Sequence, residues 1–172
     1  MSDGALEVPE WSELETRAAS LLEAYKSRQM TIATAESCTG GLVAGALTAI
    51  AGSSAVVDRG FVTYTNEAKA ECLRVPAALI DEKGAVSPEV AEAMARGALA
   101  ASNASVTVSI TGVAGPGGGS AEKPVGLVQF GAARRGGRVL LREMRFGDIG
   151  RTNIRLASVA TAFELLLEQL DP

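Results

Sequence analysis

Ala35-Glu36-Ser37-Cys38-Thr39-Gly40-Gly41 is the stretch on which the reading of this chain turns. Thr31 to Ala35 before it form a short run of buried-strand type, and Leu42, Ala46, Leu47 and Ile50 after it recur at helical spacing. Glu36 to Gly41 are therefore expected to form the turn between a strand and a helix. Such a turn leaves backbone donors free at the helix start. Ser37, Thr39 and the glycine pair place hydroxyls and unshielded N–H groups beside them. Two uses of Ser37 fit this position: a cap of the helix, or a nucleophile at the edge of an anion-binding site.

Composition restricts the chemistry open to that turn. The 172 residues have the length of one domain, and an apolar content of 47% suits an α/β core. Sixteen basic against twenty acidic residues leave a net charge of -4, which gives no general attraction for a nucleic-acid backbone. Cys38 and Cys72 are too few for a disulfide framework or a thiolate metal site. The absence of histidine excludes Ser/His/Asp and Cys/His mechanisms and the commonest zinc sites. A hydroxyl nucleophile in this chain needs another base, and neither a metal nor a cofactor is expected. The start of the chain lacks the pattern of a secretory signal and no apolar run is long enough to span a membrane, so a cytoplasmic address is expected.

Working outward, residues 1–9 read as a loose arm ending at Pro9, and residues 10–172 as a single domain. Leu14, Ala18, Leu21, Leu22 and Tyr25 mark one face of a helix from Trp11 to about Arg28. Residues 56–65 read as a strand interrupted at Asp58-Arg59-Gly60, followed by a helix from Glu67 to Leu73 that Asn66 is placed to cap. Tyr64, Asn66 and Lys69 thus gather at a second strand-to-helix junction, where side chains converge on a cleft or where Lys69 is simply a solvated charge. Residues 76–87 read as a turn of helix and a loop. Ser87 and Pro88 then open a helix to about Ala101, and Ser105 to Thr111 form a buried strand.

That strand runs into Gly112-Val113-Ala114-Gly115-Pro116-Gly117-Gly118-Gly119-Ser120. The loop fits neither the Walker A pattern nor the dinucleotide fingerprint, and it serves either as a mobile turn or as a backbone cradle at the end of a buried strand. Val125 to Ala133 and Arg138 to Arg145 read as an antiparallel hairpin, and a last helix starts near Thr152. The order of elements predicts a three-layer α/β/α sandwich with a mixed sheet.

AESCTGG at 35–41, GFVTYTNEAK at 60–69, GAVS at 84–87 and SITGVAGPGGGSAEKPVG at 109–126 resemble the motifs of the CinA C-terminal domain family, whose members include nicotinamide-nucleotide amidohydrolases. The resemblance implies an α/β/α domain that hydrolyses the carboxamide of nicotinamide mononucleotide to nicotinic acid mononucleotide and ammonia in pyridine nucleotide salvage. It places the nucleophile at Ser37 and its tyrosine and lysine partners at Tyr64 and Lys69. That agrees with a histidine-free chain, because a desolvated lysine can take a serine proton, while Tyr64 relays the proton or orients the lysine. Oxyanion donors are expected around Thr39 and Gly40 or near Thr111 and Gly112. Phosphate and ribose contacts are expected from Thr39, Gly40, Gly41 and the loop containing Gly115, Gly117 and Gly118. The family pattern Gly-Asp-Arg is altered here to Gly147-Asp148-Ile149-Gly150-Arg151, with Arg151 in the position to replace the usual arginine and Arg155 four residues later. Cys38 is the competing nucleophile. The partner implied is a small nucleotide, with no nucleic acid or membrane, and the resemblance favours a homodimer. A non-catalytic nucleotide-binding module of the same fold is the rival reading.

Overall fold

The structure is a computed structural model that describes residues 7–171. Most of the expected arm over residues 1–9 lies outside that range; Glu7 to Glu10 have no regular structure, and Pro9 is buried.

The strand that precedes the central turn, β1 (Ile32–Glu36), is buried at every position. This is because it lies inside a five-stranded sheet covered on both faces. The strand order is β2 (Val57–Val62), β1, β3 (Val106–Gly112), β4 (Leu127–Arg134), β5 (Val139–Arg145). β1 is parallel to β2 and β3, whereas β4 runs antiparallel to β3 and β5. One face carries α1 (Trp11–Ser27), α2 (Leu42–Thr48) and α6 (Arg151–Glu168), and the other α3 (Asn66–Leu73), α4 (Ala77–Lys83) and α5 (Pro88–Ala100). This is the expected three-layer α/β/α sandwich with a mixed sheet.

The period-two alternation of β3 shows how the two faces differ. Val106, Val108 and Ile110 join the large apolar cluster with α1, α2 and α6. Thr107 and Ser109 turn toward α5, where their hydroxyls donate to the carbonyls of Ala95 and Ala91 at 2.7 and 2.6 Å, and Thr111 donates to Ala85 just before α5 at 2.9 Å. Each buried hydroxyl left without a partner would cost about 1–3 kcal/mol, so these bonds are what makes a polar strand face tolerable beneath a helix. Gly131 on the neighbouring strand allows the close approach, since a Cβ there would lie 2.7 Å from the Ala91 carbonyl.

Three local expectations need correction. Residues 58–60 do not break the second strand, but the β1–β2 register shifts at Asp58, where Ile32 pairs with Val57 and Ala33 with Arg59; Gly60 sits where a Cβ would meet Thr34 Oγ1 at 2.9 Å and Ala44 Cβ at 3.2 Å. Its neighbours Asp58 and Arg59 bond to Asn103 N–H and the Ala101 carbonyl, and thereby fasten the sheet edge to the end of α5. Thr65, not Asn66, caps α3, with its Oγ1 accepting from Ala68 N–H at 3.0 Å. Glu36 belongs to β1 rather than to the turn. Elsewhere the hairpin and the Ser87-Pro88 helix start form as expected.

Connectivity positions the site. The helices that follow the neighbouring parallel strands β1 and β2 go to opposite faces, α2 to one and α3 to the other. A crevice therefore opens at the carboxyl ends of those strands, the place where open α/β sheets bind ligands.

Candidate active site

Ser37 is the first residue beyond β1, and its N–H donates to the Ile110 carbonyl at 2.9 Å, which extends the β1–β3 ladder to the serine itself. The chain then reverses through Gly40 (φ +58°) and Gly41 (φ +99°), backbone angles that other residues rarely adopt. Two side chains that the sequence reading left without a role hold this turn. Glu36 is fully buried, and its carboxylate accepts from Thr39 Oγ1 at 2.7 Å, Val43 N–H at 2.9 Å, Ala44 N–H at 3.0 Å and Thr34 Oγ1 at 3.2 Å. Arg155 from α6 approaches from the other side and donates to the carbonyls of Cys38 and Thr39, each at 3.1 Å.

Lys69 reaches the same point from α3. It is only 1% exposed, and its Nζ lies 3.0 Å from Ser37 Oγ, 2.9 Å from the Thr63 carbonyl and 3.4 Å from the Tyr64 carbonyl. None of the ion pairs among the described residues involves Lys69. Desolvation accordingly lowers its pKa from the ordinary lysine value, offset in part by the neighbouring Cys38. The same burial works in the opposite sense on the Cys38 thiol, which is pushed up to about 12. Cys38 borders the cavity but is a poor source of thiolate at neutral pH.

These residues form the floor of a cavity of about 300 Å³. Of the residues expected to bind substrate, Thr111, Gly112, Gly115, Gly117, Gly118 and Arg151 line it. The N–H groups of Cys38, Ala114, Gly115, Gly117 and Gly118 donate to no acceptor among the described residues. Arg151, at the first position of α6, donates to the Gly115 carbonyl at 2.7 Å and to the Tyr64 hydroxyl at 2.8 Å. The shifted arginine is thus brought to the rim of the cavity.

Thr39, Gly40 and Gly41 do not line it. The N–H groups of Val43 and Ala44 are taken up by the Glu36 carboxylate, so the start of α2 already holds an anion and offers no cradle for a second. Tyr64 also departs from expectation. Its backbone carbonyl faces Lys69, but its side chain is 58% exposed and its hydroxyl bonds to Arg151, away from the serine–lysine pair. The missed Glu36 carried one legible signal, a carboxylate as the last residue of an otherwise apolar strand directly before a helix.

The CinA C-terminal domain matches residues 14–170. The chain belongs to that family. Among its CinA relatives, nicotinamide-nucleotide amidohydrolase PncC of Enterobacter agglomerans is 50% identical over 147 residues, covering 85% of this chain and 88% of the relative. The PncC of Escherichia coli K12 is 49% identical over 159 residues, covering 92% and 95%. The crystal structure of the competence/damage inducible protein CihA from Agrobacterium tumefaciens superposes with a TM-score of 0.90 at 54% identity, over the full length of both chains. The CinA fold is therefore shared along the whole sandwich. No helix among the described residues is long and apolar enough to cross a membrane.

Proposed function

We propose that this protein is an amidohydrolase that converts nicotinamide mononucleotide and water to nicotinic acid mononucleotide and ammonia, with Ser37 as nucleophile, Lys69 as base and residues 10–172 working as one domain. The similarity to PncC proteins along nearly the whole chain supports the reaction. The observation that carries the mechanism is the buried Lys69 Nζ at 3.0 Å from Ser37 Oγ. A neutral amine has two N–H donors and one lone pair. The carbonyls of Thr63 and Tyr64 take the two donors, which leaves the lone pair for the serine proton.

In this reading the carboxamide enters amide-first and Ser37 Oγ attacks its carbon while Lys69 takes the proton. The oxyanion is held by free N–H groups at Cys38 and the Ala114-Gly115 segment. Lys69 returns the proton to the amide nitrogen, the C–N bond breaks and ammonia leaves an acyl ester on Ser37. Water, deprotonated by Lys69, then attacks the ester; its proton passes to Ser37 and the nicotinate product departs. The phosphate end is assigned to the rim, where Arg151 and the glycine loop supply a cation and backbone donors.

The test is to follow ammonia and nicotinic acid mononucleotide together. Wild type and Cys38→Ala are expected to form both, and Ser37→Ala neither above about 1% of wild-type turnover. Activity in Ser37→Ala with none in Cys38→Ala would transfer the nucleophile to the thiol, and no product from wild type would leave a binding module. We further propose a homodimer, supported by the exposed apolar side chains of Val62, Leu141 and Leu167.

A further inference from the structure

Among the described residues, the side chains that line the cavity include one guanidinium, Arg151, and the buried amine of Lys69, and no carboxylate. The proposed substrate carries a fixed positive charge on its pyridinium ring, and the carboxamide carbon must reach Ser37 on the floor, so that ring has to lie between the floor and the rim. A cationic ring desolvated beside the Arg151 guanidinium needs a compensating negative surface, and no carboxylate among the described residues of the wall provides one. Among the described residues, Tyr64 is the only aromatic side chain on the cavity wall. The residue is 58% exposed, and its hydroxyl accepts from Arg151 Nη2 at 2.8 Å, while Arg151 Nη1 donates to the Gly115 carbonyl at 2.7 Å. Such an anchored aromatic face is the ordinary protein partner for a ligand cation, because the ring quadrupole is negative above and below its plane.

We propose that Tyr64 is a specificity-determining residue whose ring face binds the pyridinium of the substrate, so that the site prefers a cationic ring to a neutral one of the same shape. This rests on the assigned nucleotide substrate and gives Tyr64 a part other than proton transfer. The guanidinium of Arg151 then has a double task. Its bond to the hydroxyl fixes the ring across the opening, and its remaining N–H groups face the phosphate end. An exposed tyrosine is also what the geometry requires of such a part: a ring packed into the core has no free face, and one hydrogen-bonded to Lys69 would lie too deep to cover the pyridinium.

The experiment compares nicotinamide mononucleotide with benzamide ribonucleotide, in which a neutral phenyl ring carries the same carboxamide and ribose phosphate. Binding of both is measured by calorimetry in the Ser37→Ala background, where neither is consumed, and turnover of the first is measured in wild type. The expected preference for the cationic ring is about 3- to 10-fold. It is retained in Ser37→Ala/Tyr64→Phe, which keeps the ring but loses the Arg151 bond, and falls to about one in Ser37→Ala/Tyr64→Leu. A preference that survives in the leucine variant, or none in the Ser37→Ala parent, overturns the assignment while leaving the amidohydrolase reading intact. Failure of wild type to hydrolyse nicotinamide mononucleotide removes the substrate itself and the assignment with it.

Discussion

Replacing Glu36 by glutamine tests whether the nucleophile turn is held from beneath by a charge. Glu36 Oε1 accepts from Thr39 and Val43, and Oε2 from Ala44 and Thr34. Glutamine of nearly the same shape can keep an oxygen toward Thr39 and Val43, but its amide group then confronts the Ala44 N–H, which has no alternative acceptor at the start of α2. A buried donor left unsatisfied costs about 1–3 kcal/mol, and the two surviving bonds lose the part that a full charge adds, so the total is about 2–4 kcal/mol. Thr34 is spared because its hydroxyl can rotate and accept instead. In a chain of this length such a loss lowers Tm by roughly 5–15 °C, read by thermal denaturation. Ser37 is the next residue, so kcat should fall about 10- to 100-fold with KM little changed. A stability change below about 0.5 kcal/mol together with normal turnover would refute the argument that this carboxylate organises the turn.

Lys69→Met should lower turnover by ~10²–10⁴-fold while nucleotide binding persists. Because the folded-state pKa of Lys69 lies below its unfolded value, the unfolded chain binds more protons between the two, so the stability of the wild type rises with pH across that window. The buried charge is costly below the folded pKa and its cost is relieved toward about pH 10.5, so the methionine variant should gain most in urea unfolding near neutrality and least in alkali. The kcat/KM of wild type should likewise rise through the lowered pKa and level off before about pH 10.5; an acid limb at or above the ordinary lysine value would exclude Lys69 as the base. The homodimer is checked by sedimentation at micromolar concentration, where a persistent monomer would overturn it.

The layers of the fold were legible because its signals are local. The unbroken run of small and apolar residues in the buried β3, the Ser87-Pro88 helix start and the hairpin spacing each depend on a few neighbouring residues. The pairing of Ser37 with Lys69 was legible only through the family motifs, since they stand 32 residues apart and nothing in either segment alone states that they meet. Arg155 could not be assigned at all, because its partners are the carbonyls of Cys38 and Thr39, more than a hundred residues earlier. Tyr64 was placed correctly at the cavity but with the wrong contact, as spacing along a junction does not say whether a backbone carbonyl or a hydroxyl turns inward.

Thr39, Gly40 and Gly41 are the most instructive case, because the helix start they precede already holds an anion of the chain's own. A helix start beside a glycine pair does attract an anion, and here the anion is Glu36, supplied from the same chain one residue before the nucleophile. That occupation has a consequence for orientation. With the Val43 and Ala44 donors spent on Glu36, the free backbone donors on the cavity wall include those of Cys38 and of the glycine loop from Ala114 to Gly118. In the proposed mechanism Cys38 and the Ala114-Gly115 segment serve the oxyanion beside Ser37, and Arg151 with the rest of the loop serves the phosphate at the rim. A substrate with an amide at one end and a phosphate at the other can then bind productively in one direction only. The buried carboxylate, which touches no substrate, thereby helps decide which end of the ligand meets the serine.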